Sequence, residues 1–197
     1  RNFLSDSGTK PVWSAYEAKF ALERDFEKDL LHLVLLRLKT KGASNDPIVL
    51  HGQTGTGKSV ALGALAYDIR KEKKYAVLFI ERRPQAPIAS DLDQFCKWAD
   101  DIGFAATVII WDGMVLIDQY VSFLKNLLGR GRNVIVVGSA YKLDANEGNQ
   151  RFLINAPSNL SSAEIVRFKE LIGKFEPTLS NRFEDILQKN DTTFLVA

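Results

Sequence analysis

Short apolar runs alternate with helical periodicity along most of this chain. Runs of consecutive apolar residues predict five strands, at 47–51, 75–80, 107–112, 133–137 and 151–155. Apolar residues spaced three and four apart predict helices between them, at 60–74, 90–101 and 116–128. Unbroken apolar runs are typical of strands that are buried on both faces. We therefore predict an α/β fold, with a mostly parallel five-stranded sheet between two layers of helices.

The two ends of the chain depart from this alternation. Residues 1–12 are mostly polar and predict a linker, and helical spacing over 14–40 predicts one N-terminal helix. After Pro157 the strand pattern ends, and Ser161 with Glu164 has the spacing of a capping box before further helical periodicity. We predict a sheet domain at 13–157 and the start of a small helical lobe at 158–197, which includes a short helix at 181–188. Because the sequence stops within an apolar run, we expect it to be a segment of a longer protein.

The sharpest motif lies between the first predicted strand and the helix that follows it. Residues 52–59 fit G-x-x-x-x-G-K-[ST] at every specified position. Glycines let successive N–H groups turn towards a phosphate, and the start of the helix adds its positive end. Lys58 supplies a positive charge, and the Ser59 hydroxyl can ligate Mg²⁺. The predicted nucleotide-binding residues are Gly52, Gln53, Thr54, Gly55, Thr56, Gly57, Lys58, Ser59 and Val60.

An acid follows the third predicted strand. Asp112 comes directly after four apolar residues, where an acid behind a phosphate loop can hold Mg²⁺ with Ser59. Lys58 and Asp112 are thus the first candidates for catalysis. The residue after Asp112 is Gly113 rather than a second carboxylate, so we expect hydrolysis to be slow or to need a partner.

Three further positions are candidates with an open alternative. Asp118, or Glu81 at the end of the second strand, could orient the attacking water, although the surface-acid interpretation is favoured for each. Ser139, at the end of the fourth strand, could contact the γ-phosphate or be a satisfied strand-end hydroxyl. Arg151 could act on the nucleotide of a neighbouring subunit or lie on the surface.

Bulk composition narrows the class of protein. A formal net charge of +2 gives no electrostatic reason to expect direct nucleic-acid binding. The single cysteine, Cys96, excludes an internal disulfide and fits a reducing compartment, so we expect the cytoplasm. No apolar run approaches the roughly 18 residues of a membrane span, so we expect no membrane partner.

These motifs together resemble the STAND branch of the AAA+-related P-loop NTPases, which includes NLR-like receptors and bacterial antiphage defence proteins. The likeness is carried by 22–27, 52–59, 108–113 and 152–157 followed by 160–164. It implies that Arg24 lies near the nucleotide base, that ATP or ADP with Mg²⁺ is the ligand, and that ATP favours an open homo-oligomer over a closed ADP monomer. It also implies an effector and a sensor in the full-length protein.

Two other functions remain open from the residues. An AAA+-like motor or nucleic-acid remodeller would show strong turnover stimulated by DNA or RNA. A small-molecule kinase would use the same loop and would need an acceptor pocket with an arginine-rich lid. A GTPase is less favoured, because no Asn-Lys-x-Asp segment follows the loop.

Overall fold

Five parallel strands form one sheet in the computed structural model, which describes residues 11–40, 45–81, 86–141 and 152–175. The strands are β1 (Ile48–His51), β2 (Ala76–Ile80), β3 (Thr107–Trp111), β4 (Val134–Ala140) and β5 (Leu153–Asn155). Their order across the sheet is β2-β3-β4-β1-β5, and every pairing is parallel. The predicted α/β fold is therefore confirmed.

Helices join the first four strands in succession, and helices cover both faces of the sheet. Those in the described residues are α1 (Trp13–Glu17), α2 (Asp25–Lys39), α3 (Lys58–Lys71), α4 (Ala89–Asp101), α5 (Ile117–Gly129) and α6 (Ser162–Phe175). Helices α2 and α3 pack over one face, and α4 and α5 pack over the other.

The strand periodicity of two decides which side chain meets which helix layer. Leu50 and Ile110 belong to the core under α2 and α3, whereas their neighbours Val49 and Ile109 belong to the core under α4 and α5. All four are fully buried, as expected for central strands with helices on both faces. Parallel strands end at a common edge, so the residues after β1, β3 and β4 meet there.

The single N-terminal helix predicted over 14–40 is wrong. The chain forms α1 and α2 with a break between them, where Lys19 has a φ of 55° and Arg24 an extended backbone. Arg24 is the N-cap of α2, and its side chain is drawn to distant parts of the chain, as described below. This tertiary attachment overrides the helical spacing of the apolar residues.

The capping box predicted before the last helix is present. The Glu164 N–H donates to Ser161 Oγ (3.2 Å), and the Ser161 N–H donates to Glu164 Oε2 (2.8 Å). The linker at 1–10 and the helix predicted at 181–188 lie outside the described residues. Within the described ranges, no helix has the length and apolar character needed to cross a bilayer.

Candidate functional site

The predicted phosphate loop joins β1 to α3 at the carboxyl edge of the sheet. Gly57 is the N-cap of α3 and has a left-handed conformation, with φ 89° and ψ 9°, which few other residues adopt. Helix α3 begins at the next residue, so the N–H groups of its first turn and its positive end face the loop. This arrangement is the usual way in which a helix start holds a phosphate.

Lys58 lies within the loop rather than in solvent, with 4% of its surface exposed. Its ammonium donates to the carbonyl oxygens of Gly52 (2.8 Å) and Gln53 (2.6 Å), and it lies 3.3 Å from Thr56 Oγ1. Burial and the nearby charge of Lys58 lower the pKa of His51, which favours the neutral imidazole beside the loop. The loop therefore concentrates positive charge at one buried ammonium.

The start of the loop is pressed against the chain that follows β5. A Cβ atom on Gly52 would lie 2.4 Å from the carbonyl oxygen of Ala156, so no side chain fits there. The Gly52 N–H donates to Ala140 O (3.2 Å), and the Ala156 N–H donates to His51 O (2.8 Å). The loop is thus fixed on one side by β4 and on the other by the segment after β5.

Asp112 and Ser139 meet at the same edge, at the ends of two neighbouring strands. The Ser139 hydroxyl donates to Asp112 Oδ1 at 2.5 Å, and both residues are buried. Met114 donates its N–H to the same hydroxyl (3.2 Å) and has a φ of 50°, which is unusual for a residue with a side chain. One carboxylate oxygen is therefore fixed by a hydroxyl that is itself held in place.

The Tyr120 hydroxyl on α5 makes hydrogen bonds to the backbone at the ends of the two strands that carry this pair. Its hydroxyl accepts the Ser139 N–H (3.0 Å), and it lies 2.7 Å from Ser139 O and 3.2 Å from Trp111 O, to which it can donate. Burial raises the pKa of Tyr120 to about 12, so the hydroxyl keeps its proton. The phenol thus links the ends of β3 and β4 through their backbones.

The missing second acid after Asp112 has a steric explanation. A Cβ on Gly113 would lie 2.7 Å from the Trp111 ring and 3.0 Å from the Tyr120 hydroxyl. Any side chain at position 113 would displace one of these buried aromatic residues. The position that could carry a second carboxylate is therefore filled by the packing around Tyr120.

Arg24 lies behind the phosphate loop. Its Nη1 donates to the carbonyl of Thr56 (2.7 Å), and its Nη2 donates to Pro157 O (2.8 Å) and Asn159 O (3.3 Å). Its Nε pairs with Glu164 at 2.8 Å, and both side chains are 2% exposed. The structure thus brings Arg24 to the loop, on its backbone side.

The remaining candidates are spread around the site. Asp118 is exposed in the first turn of α5, and Glu81 is exposed directly after β2. The two assignments as water-orienting residues stay predictions. Arg151 lies outside the described residues, so its assignment also stays a prediction.

The donor set at the sheet edge fits Mg²⁺. Ser59 and Asp112 offer a hydroxyl and a carboxylate oxygen, the hard ligands that this ion prefers. No group of three or more His, Cys, Asp or Glu side chains suited to a metal occurs in the described part of the chain. Mg²⁺ usually takes one or two protein oxygens, with phosphates and water as its other ligands.

A family comparison matches most of the chain. The sequence model described as Novel STAND NTPase 5 matches residues 3–158. The chain belongs to this STAND NTPase family. The resemblance inferred from the motifs is therefore confirmed. A search of curated proteins gave no significant match.

Solved structures with a similar fold share only 13–15% sequence identity with this STAND NTPase. PCH-2 of C. elegans has a TM-score of 0.53 at 15% identity, over 84% of this chain and 52% of that chain. DnaA of Aquifex aeolicus, bound to AMPPCP, has a TM-score of 0.48 at 14% identity, over 87% and 59% respectively. Trip13 of Rhizobiales has a TM-score of 0.48 at 13% identity, over 95% and 92%. This chain therefore spans only about half of the PCH-2 chain and about three fifths of the DnaA chain. The PCH-2 match shows the fold alone.

Sequence reasoning missed two residues of the STAND NTPase site. Tyr120 follows the apolar spacing of α5 and looked like ordinary core. Glu164 was identified only as half of a capping box, although its carboxylate also pairs with Arg24, 140 residues earlier. The one available signal for Glu164 was an acid in a predicted first turn, which does not reveal a distant partner.

Proposed function

We propose that this chain binds ATP and ADP at residues 52–59 and hydrolyses ATP slowly. The proposal rests on the geometry of the loop. Gly57 is the left-handed N-cap directly before α3, and the buried Lys58 ammonium lies inside the loop. A phosphate at the start of α3 would meet the N–H groups of the first turn, a helix dipole and a nearby cation together. The match to a STAND NTPase family supports the same ligand class.

Mg²⁺ would be held by Ser59 and by Asp112, directly or through water. Bound there, it would neutralise charge on the β- and γ-phosphates. Ser139 keeps one Asp112 oxygen in place and can also face the γ-phosphate. Asp118 and Arg151 are the proposed additional groups, one orienting water and one acting across a subunit boundary.

Slow turnover fits a regulatory switch better than a motor. Gly113 leaves no room for a second carboxylate, which removes the nearest position for a group that orients water. We propose that ATP promotes a homo-oligomer and ADP a monomer, and that the oligomer activates a linked effector in the cytoplasm, in antiviral defence. Such a switch requires ATP to interact differently with the two states.

The first experiment is a titration with a fluorescent ATP analogue, with and without Mg²⁺, alongside phosphate release. Lys58→Ala should reduce affinity by about a hundredfold or more, because one close ion pair with phosphate is worth several kcal/mol in a partly buried site. Lys97→Ala, which removes an exposed lysine on α4, is the matched control and should bind as the parent chain does. Equal affinity of Lys58→Ala and the parent would refute the site.

A further inference from the structure

The most buried charged pair of the described residues lies outside the phosphate loop. Arg24 Nε and Glu164 Oε1 are 2.8 Å apart, and each side chain is only 2% exposed. Isolated ions so placed would be costly, because both have lost their hydration. The pair is therefore held by further hydrogen bonds, and their partners indicate what it does.

Arg24 uses its donors on three separate segments. Nη1 holds the Thr56 carbonyl of the phosphate loop, Nη2 holds the carbonyls of Pro157 and Asn159, and Nε holds Glu164. A guanidinium has a rigid, planar set of donors, so fixing one edge fixes the others. The position of the Thr56 carbonyl thus depends on how the opposite edge of Arg24 is anchored.

Glu164 is that anchor, and it is itself fixed. Its Oε1 also accepts the Asp25 N–H (2.7 Å), and its Oε2 accepts the Ser161 N–H (2.8 Å). Both oxygens are thus held by backbone groups from α2 and from the start of α6. The carboxylate can neither rotate away nor move without breaking these bonds.

We propose that Glu164 is a positioning residue of the nucleotide site, acting through Arg24 on the Thr56 carbonyl. The proposal rests on the proposed function, because it assumes that the loop binds nucleotide. With the carboxylate charge gone, the buried Arg24 guanidinium would lose its Glu164 ion pair and would reorient. The Thr56 peptide, and with it the N–H groups that face a phosphate, would lose its fixed geometry, and affinity falls when a site is less preorganised.

The primary test is Glu164→Gln in the full chain, with nucleotide affinity measured by titration. Glutamine has nearly the same shape and can still accept a backbone N–H, yet it offers no charge to Arg24. We expect affinity for the ATP analogue to fall by about tenfold, within the usual range of coupling between linked sites. Glu170→Gln, an exposed acid on the same helix, should leave affinity unchanged.

Ser161→Ala separates positioning from helix capping. It removes the hydroxyl that accepts the Glu164 N–H, and so weakens the start of α6, while the Arg24–Glu164 pair keeps its atoms. The proposal predicts that this variant loses stability but little affinity. An equal loss of affinity in Ser161→Ala and Glu164→Gln would show that Glu164 acts only as a cap.

A double-mutant cycle tests whether Glu164 acts through Arg24. In the Arg24→Gln background, Glu164→Gln should cause no further loss of affinity, and the double variant also avoids an unpaired buried charge if the single variants fold poorly. Losses that simply multiply would overturn the proposal. If the parent chain binds no nucleotide, the proposed function fails; if it binds and Glu164→Gln binds equally well, only this inference fails.

The unmodified chain offers a measurement that needs no variant. Coupling is reciprocal, so nucleotide that stabilises the loop should also stabilise the segment to which the loop is tied. We expect the ATP analogue to slow amide hydrogen exchange in the first turns of α6 as well as in residues 52–59. Protection confined to the loop would contradict the proposal.

Discussion

At the scale of single residues, the Tyr120 hydroxyl helps to set the geometry of Asp112 through Ser139. It accepts the Ser139 N–H, and Ser139 in turn donates to Asp112 Oδ1. Tyr120→Phe keeps the ring in place and removes only this hydroxyl. The buried Ser139 N–H then has no acceptor there, which should cost about 1–3 kcal/mol of unfolding free energy. Urea unfolding followed by circular dichroism measures the loss.

Tyr67→Phe is the matched control for this variant. Tyr67 stacks on Tyr16 and carries Lys71 over its ring, and both contacts use the ring rather than the hydroxyl. Its replacement should change stability by less than about 0.5 kcal/mol. If Tyr120→Phe proves equally mild, the hydroxyl does not hold the strand ends and our account of the Asp112 geometry is wrong.

The position of the Tyr120 ring also predicts the effect of a substitution at Gly138. A Cβ there would lie 2.2 Å from the Tyr120 ring, in the fully buried part of β4. Gly138→Ala should therefore lower the unfolding free energy by about 1–3 kcal/mol through overpacking. Gly129→Ala is the control, because a Cβ at Gly129 meets no atom within 4 Å. In a helix it should be neutral or stabilising by about 0.4–1 kcal/mol, and equal effects of the two changes would refute the close approach.

At the scale of elements, the strands were predictable because their signal is local. Each contains a short apolar run, and in the central strands burial on both faces makes such a run necessary. The break between α1 and α2 was not predictable, because its cause lies 140 residues away, where Glu164 holds Arg24. Apolar spacing reports which residues face a core, and it does not report a distant polar partner.

The residues of the site likewise divide into those that the sequence revealed and those that it did not. The loop at 52–59 and Asp112 were identified from consecutive residues, whose types and order carry the chemistry. Tyr120 and Glu164 were missed because each contributes one polar group to a contact across elements. No local pattern distinguishes such a tyrosine from a core residue, or such a glutamate from a helix cap.

The environment of Glu27 at the start of α2 predicts how the stability of the chain depends on pH. Burial raises the pKa of Glu27 from 4.5 to about 7, although the Arg24 N–H, to which the carboxylate is bonded, partly opposes the shift. Glu23, Lys28 and Asp68 line the same groove beside it. The folded state therefore binds this proton more tightly than the unfolded state, and its stabilising effect is lost as pH rises through about 7.

Glu27→Gln should remove this dependence and keep an acceptor for the Arg24 N–H. Relative to the parent chain, the variant should gain stability between about pH 4.5 and pH 7, by on the order of 2–3 kcal/mol in total. Urea unfolding at several pH values measures the difference between the two proteins. Glu170→Gln, at an exposed acid on α6, is the control for the loss of a surface charge. A flat difference for Glu27→Gln would mean that the Glu27 carboxyl is not desolvated in the folded chain.

At the scale of the whole molecule, α6 is attached to the segment around residues 20–25 by polar and aromatic contacts along its length. Its first turn binds Arg24 through Glu164, Arg167 pairs with Asp25, and Phe175 stacks on Phe20 at 4.7 Å between ring centroids. The segment around residues 20–25 thus contacts both the phosphate loop and the helix after the sheet. A ligand that favours one arrangement of the loop also favours one placement of this helix.

That attachment leads to the prediction for assembly. If the chain is a nucleotide switch, its mass in solution should depend on which nucleotide is present. Light scattering should give a monomer with ADP and a larger species with a non-hydrolysable ATP analogue, repeated with a lysate that holds a candidate trigger. Lys58→Ala should stay monomeric with either nucleotide, because it lacks the phosphate contact that distinguishes the two nucleotides.

A constant monomer with brisk phosphate release would point instead to a simple hydrolase or a small-molecule kinase. A shift from almost all monomer to almost all oligomer requires the ATP analogue to favour the oligomeric state by about 5.5 kcal/mol more than ADP does. A partial shift would mean that the nucleotide supplies less than this free energy and that a trigger is needed for the rest.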